Sequence, residues 1–125
     1  RAAHLIAFER LEALKREDPI GRGEIEGFYV AVTDVVRRYI RDRFAVDAID
    51  MTTEELEPAM IGARIEPAEV VRTIEYLAHA DLAKFAKLHP DADRATSDLD
   101  EAWSFVERTR FRDDEGESGE REEAP

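Results

Sequence analysis

The sequence predicts an all-α fold, a compact bundle of about five to six helices. Apolar residues recur every three to four positions in several separate segments, as they do on the buried face of a helix. A helix-capping pattern opens another segment, and no segment alternates convincingly between apolar and polar residues as a half-buried strand does. A length of 125 residues fits one domain, which we place at residues 1–111.

The first two predicted helices are separated by a glycine-containing turn. The first spans residues 2–16, and Asp18-Pro19 ends it because the residue before a proline avoids the α-helical region. The second spans residues 24–44 and has a broad apolar stripe that must be buried. That stripe consists of Ile25, Phe28, Tyr29, Val32, Val35, Val36, Tyr39 and Ile40.

A connector and a short third helix follow. In the connector, residues 45–51, we expect Val46 and Ile49 to fill gaps in the core. Thr52 and Glu55 have the spacing of a capping box, in which each side chain accepts a hydrogen bond from the other residue's backbone N–H. The third helix then ends at Gly62, with Leu56, Met60 and Ile61 as its apolar face.

Two more helices complete the predicted bundle. Pro67 suits the first turn of the fourth, whose apolar face is expected to contain Val70, Val71, Ile74 and Leu77. Residues 80–88 either continue this helix or form a separate turn capped by Asp81. The last helix, residues 94–111, carries Leu99, Trp103, Phe105, Val106 and Phe111. Residues 112–125 are mostly acidic or small, which predicts a disordered acidic tail.

The composition excludes several classes of function. The formal net charge of −12 comes from 30 acidic and 18 basic residues, so general nucleic-acid binding and direct docking on anionic lipid are disfavoured. The chain has no cysteine, which excludes disulfides, thiolate metal sites and a cysteine nucleophile. No apolar run approaches the roughly 20 residues of a membrane-spanning helix. Because Arg1 lies directly inside an apolar-periodic segment, we expect a fragment of a longer protein, with room for a membrane anchor upstream.

No residue pattern points to catalysis, a metal or a cofactor. His4, His79 and His89 lack the spacing of two metal ligands four residues apart on a helix, although Asp81 is close to His79 in sequence. The segment Gly21-Arg22-Gly23 is too short for a phosphate-binding loop and follows a helix rather than a strand. We therefore predict a domain that is not an enzyme.

Four arginines lie within about two turns near the end of the second predicted helix: Arg37, Arg38, Arg41 and Arg43. Cations favour helix C-termini, and Asp34 and Asp42 can partly neutralise them. Two interpretations stay open, contact with an acidic partner and pairing within the domain. We favour pairing within the domain, because guanidinium groups in so acidic a chain have many carboxylates available.

Three phrases, in this order, carry a resemblance to a known family: Arg37-x-Tyr39-Ile40-x-x-Arg43-Phe44, Met51-Thr52-Thr53-Glu54-Glu55-Leu56 and Asp81-Leu82-Ala83-Lys84-Phe85-Ala86. An opening Ala-His-x-x-Ala-Phe-x-x-Leu and a closing Ala-x-x-Phe-Val-x-x-Thr frame them. Together they resemble the cytoplasmic, C-terminal helical region of bacterial BatD-like and related membrane proteins. The likeness extends to about Phe111, and Ile40 and Ala83 are mild departures from the usual form.

The resemblance implies a role without catalysis. It implies an accessory or assembly protein on the cytoplasmic face of the bacterial inner membrane, anchored by a transmembrane helix that precedes this region. It also implies partners, namely a MoxR-type AAA+ ATPase and proteins with von Willebrand factor A domains. It supplies no catalytic or cofactor-binding residues.

A winged-helix-like regulatory domain is the alternative. The capped third helix and the helix that begins at Pro67 have the order of a helix-turn-helix unit, which would place the latter in the DNA major groove. That helix carries Glu69, Arg72, Thr73 and Glu75, which do not form a phosphate-binding face. Salt-sensitive binding to duplex DNA would favour this alternative.

Overall fold

Five α-helices and a short 3₁₀ helix make up residues 1–112, the part of the chain that a computed structural model describes. They are α1 (Ala3–Glu17), α2 (Ile25–Phe44), the 3₁₀ helix (Ala48–Asp50), α3 (Thr53–Gly62), α4 (Pro67–Lys84) and α5 (Ala92–Thr109). The predicted all-α bundle is confirmed. Residues 1–112 contain no β-strand, so the alternative interpretation has no wing in this range. The predicted disordered tail lies outside the described residues apart from Arg112.

The α2 helix forms the centre of the bundle. It contacts α1, α4, α5 and the 3₁₀ helix, so its apolar stripe is covered from several sides. Phe28, Tyr29 and Tyr39 are at most 1% exposed, and burial of such large aromatic side chains is a main stabilising contribution. The predicted burial of this stripe is confirmed except at Ile25, which is half-buried at the first residue of the helix.

Local sequence signals explain where the helices begin and end. The Thr52 side chain accepts a hydrogen bond from the Glu55 N–H at 3.1 Å, and the Glu55 carboxylate accepts one from the Thr52 N–H at 3.0 Å. The predicted capping box is therefore confirmed. Pro67 occupies the first turn of α4, as predicted. The last helix begins two residues before the predicted start, because Asp91 caps it by accepting from the Arg94 N–H at 2.8 Å.

Several apolar residues predicted to be buried are exposed. Ile61 is 60% exposed and Val71 is 53% exposed. Each directly follows a buried position, Met60 and Val70 respectively, and therefore points about 100° away from the core. Phe111 lies beyond the end of α5 and is 53% exposed, because the helix ends two residues earlier than predicted.

Three smaller differences concern the connector, the end of α4 and Trp103. Ala48, the first residue of the 3₁₀ helix, is fully buried, whereas Ile49 is only half-buried. Asp81 lies inside α4, so the fourth helix continues to Lys84 and no separate turn is capped there. Trp103 is 37% exposed because it lies at the rim between α1 and α5, stacked on Phe8 with ring centroids 4.3 Å apart.

Candidate functional site

Arg37 ties the connector to the central helix. One terminal nitrogen of its guanidinium donates to the carbonyl oxygens of Ala48 at 2.7 Å and Met51 at 2.8 Å. The other donates to the Thr53 hydroxyl at 2.9 Å. A planar guanidinium can satisfy several acceptors in fixed directions, so this residue holds the 3₁₀ helix and the start of α3 against α2.

Arg38 and Arg41 form surface ion pairs on α2. The Arg38 Nε donates to Asp34 at 2.9 Å, one helical turn earlier, and the Arg41 Nε donates to the adjacent Asp42 at 2.9 Å. All four side chains keep substantial exposure. Exposed pairs of this kind contribute little to stability because water and salt screen them.

Arg43 contacts the last helix. Its Nε donates to the Thr109 carbonyl oxygen at 2.8 Å, and its guanidinium carbon lies 4.5 Å from the centre of the Phe44 ring. Nearby, the Tyr39 hydroxyl is 2.9 Å from the Thr109 hydroxyl. The four arginines therefore contact three different parts of the chain, namely the connector with the start of α3, α2 itself and the end of α5, and each has a partner within the domain.

The Arg37 network continues from α3 to α4. The Thr53 hydroxyl, which accepts from Arg37, donates to Asp81 Oδ2 at 2.7 Å. The other carboxylate oxygen of Asp81 is 3.8 Å from the ammonium group of Lys84. A chain of polar contacts therefore joins α2, α3 and α4 directly.

This network lies in an open groove of about 700 Å³, which we call the α2–α4 groove. It is lined by residues of α2, the connector, the start of α3 and the end of α4: Val30, Ala31, Thr33, Asp34, Arg37, Ile49, Met51, Thr52, Thr53, Glu54, Asp81, Lys84 and Phe85. Two apolar side chains in the lining are well exposed, Val30 at 53% and Phe85 at 66%. The groove thus combines a fixed polar floor with apolar surface open to solvent.

A second polar group of residues, the Asp98 cluster, is buried where α2, α4 and α5 meet. The Asp98 carboxylate accepts from the Tyr29 hydroxyl at 2.5 Å and from the Arg94 Nε at 3.2 Å, and it lies 3.1 Å from the His79 Nε2. The Tyr76 hydroxyl donates to the Asp98 carbonyl oxygen at 2.6 Å. Asp98 is only 5% exposed, so this carboxylate depends on these partners for its solvation.

The surroundings keep the tyrosines of the cluster neutral. Burial raises the pKa of the Tyr29 hydroxyl, and its hydrogen bond to Asp98 and the negative charge there raise it further. Burial also raises the pKa of Tyr76 well above its usual value, with a smaller contribution from the Asp98 charge. Neither tyrosine lines the α2–α4 groove, nor does Asp98. The cluster therefore joins helices away from this groove, and its carboxylate is buried.

The sequence of α5 contains a pattern that indicates this cluster, although it resembles an ordinary apolar stripe. Ala95, Asp98, Ala102 and Phe105 recur at three and four residues and are all buried, so the aspartate occupies a position of the apolar stripe. A carboxylate at such a position needs buried partners. His79, which is close to Asp81 in sequence, contacts Asp98 instead.

The other histidines do not join the cluster. His89 is exposed in the turn before α5, and the His4 ring lies edge-on to Phe8 with centroids 6.2 Å apart. Within residues 1–112, no group of three or more histidine or acidic side chains is arranged to hold a metal ion. In the same range, no helix has both the length and the apolar character needed to cross a bilayer.

Comparison with protein-family models, with curated proteins and with solved structures finds no match to this chain. The resemblance to the BatD-like region stays a prediction, as do the partners and the membrane anchor that it implies. The site must therefore be interpreted from its own geometry.

Proposed function

We propose that this domain is a non-enzymatic protein-interaction module of a membrane-anchored accessory protein on the cytoplasmic face of the bacterial inner membrane. Its partner is expected to bind in the α2–α4 groove. One observation carries the proposal: the three phrases behind the family resemblance, which are separate in sequence, meet in this groove. Arg37 comes from the first phrase, Thr53 from the second and Asp81 from the third, and hydrogen bonds connect them directly.

The exposed apolar surface of the groove supports a protein partner. Leaving Val30 and Phe85 more than half exposed gives up the stabilisation that their burial would bring. Exposed apolar surface with a polar rim is typical of protein–protein contact sites. The resemblance adds the identity of the partner, a MoxR-type AAA+ ATPase, with von Willebrand factor A proteins as further members of the assembly.

Two valines with the same exposure provide a matched test. Val30 lies in the groove and Val71 lies on α4 outside its lining, and each is 53% exposed. We expect Val30→Asp in the full chain to weaken binding of the MoxR-type ATPase at least about tenfold, because a buried contact becomes an unpaired charge. Val71→Asp should leave the affinity unchanged. Isothermal titration calorimetry with the purified ATPase measures both.

Two results would contradict the proposal. Equal losses for the two valine variants would show that the partner does not use the groove, and no binding of the ATPase to the full chain would remove this partner altogether. An electrophoretic mobility shift assay with random duplex DNA tests the alternative function. Binding that weakens steeply with salt would support the regulatory, nucleic-acid-binding alternative instead.

A further inference from the structure

The apolar residues of the α2–α4 groove come from separate elements. Val30 belongs to α2, Ile49 to the 3₁₀ helix, Met51 to the connector, and Phe85 follows the last residue of α4. Phe85 is 66% exposed, the highest value among the large apolar residues that are exposed in residues 1–112. An occupant with its own apolar side chains would bury this surface from several directions.

The cations inside the groove are already engaged. Arg37 donates three hydrogen bonds to acceptors of its own chain, and Lys84 lies 3.8 Å from Asp81. Asp81 also accepts from Thr53. This interior network therefore has little capacity left to attract an anionic ligand.

The rim of the groove is negative. Glu54, in the first turn of α3, is exposed and has no hydrogen bond or ion pair from its side chain within residues 1–112. Asp34 is 52% exposed in its side chain, and its ion-pair partner among residues 1–112 is the exposed Arg38. A positively charged occupant would complement this rim.

We propose that the α2–α4 groove binds an amphipathic α-helix of its protein partner, with the apolar face of that helix inward and lysine or arginine side chains along its flanks. This inference rests on the proposed function and adds the chemistry of the segment that is recognised. A helix is the fitting occupant because the groove runs between helices and residues 1–112 offer no strand edge to extend. The apolar side chains supply affinity, and the negative rim selects the charge of the partner.

Two synthetic helical peptides test the charge requirement. Both carry the same leucine and alanine face, while the polar face of one is lysine and that of the other is glutamate. Fluorescence anisotropy with the full chain, at about 50 and about 150 mM salt, measures the two affinities. We expect the lysine peptide to bind and the glutamate peptide to bind at least about tenfold more weakly.

Matched variants separate groove binding from attraction to a generally acidic protein. Glu54→Lys and Glu75→Lys change the net charge equally, but only Glu54 lines the groove. Phe85→Ala and Ile61→Ala each truncate an exposed apolar residue, and only Phe85 lines the groove. We expect Glu54→Lys and Phe85→Ala to weaken lysine-peptide binding about tenfold, and the two control variants to change it less than about twofold.

The inference is wrong if both peptides bind equally, or if the groove variants and their controls lose affinity alike. The ATPase titration distinguishes this failure from that of the proposed function. ATPase binding that needs Val30, together with a lysine peptide that does not bind, would overturn the basic-helix inference and retain the interaction module. A lysine peptide that needs Glu54 and Phe85, together with an ATPase that does not bind, would support the groove chemistry and overturn the proposed partner.

Discussion

The Asp98 cluster and the Arg37 network are built from the same chemical groups but differ in exposure. Each contains an aspartate, a hydroxyl group and a guanidinium, and each joins α2 to α4 and to one further helix. The side chain of Asp98 is 8% exposed, whereas that of Asp81 is 31% exposed beside apolar surface. Similar groups are therefore buried between helices in the Asp98 cluster and border an open groove in the Arg37 network.

The largest expected effect on stability is at the buried Asp98. Asp98→Ala leaves Tyr29, His79 and Arg94 without their common acceptor, and we expect it to lower the free energy of unfolding by about 3 kcal/mol. Asp100→Ala, an exposed position of the same helix, should change it by less than about 0.5 kcal/mol. Urea denaturation followed by circular dichroism measures both. Similar values for the two variants would show that the cluster does not contribute to stability.

A smaller loss is expected at the open network. Arg37→Met removes a half-buried guanidinium together with its three hydrogen bonds. We expect this to lower the free energy of unfolding by about 2 kcal/mol. Arg38→Met removes only an exposed ion pair and should cost less than about 0.5 kcal/mol. The same urea experiment compares these neighbours. An equal loss at both positions would show that Arg37 contributes no more to stability than Arg38 does.

The smallest effect depends on pH. Tyr29→Phe removes one buried hydrogen bond and should cost about 1 kcal/mol at about pH 8. The pKa of Tyr29 is raised in the folded state, so its contribution is fully present below the unfolded tyrosine value of about 10 and declines as the pH rises above it. The difference between wild type and Tyr29→Phe should therefore shrink at about pH 11. Urea midpoints at the two pH values test this, and a constant difference would contradict it.

Local patterns predicted the helices well because their causes are local. The capping box at Thr52 and Glu55 involves residues three positions apart, and the stripe of α2 repeats within one helix. The contacts of the Asp98 cluster depend on tertiary packing instead, since Tyr29 and Asp98 are 69 positions apart. The helical repeat of a sequence does not show which residues of other helices donate hydrogen bonds to a buried carboxylate. The same limit explains Ile61, whose exposure depends on where α3 meets the rest of the bundle.

The candidate site was predictable only in part. The sequence indicated Arg37 only as one of four arginines. Its acceptors are mainly backbone carbonyl oxygens, which any residue has, so the sequence could not separate Arg37 from the other three. The phrases that contain Thr53 and Asp81 were visible as a resemblance. Their meeting with Arg37 required the turn between α3 and α4 and the length of α4, which bring distant segments together.

The α4 helix carries residues of both the Asp98 cluster and the Arg37 network in close succession. His79 contacts Asp98, and Asp81, two positions later, contacts Thr53, so their side chains leave the helix about 200° apart. We expect an occupant of the groove that contacts the last turn of α4 to restrict local opening of the helix near Asp98. Amide hydrogen exchange in α5 should then slow when the groove is filled. Hydrogen exchange in α5 would then report binding in the groove, although α5 contributes no residue to the groove lining.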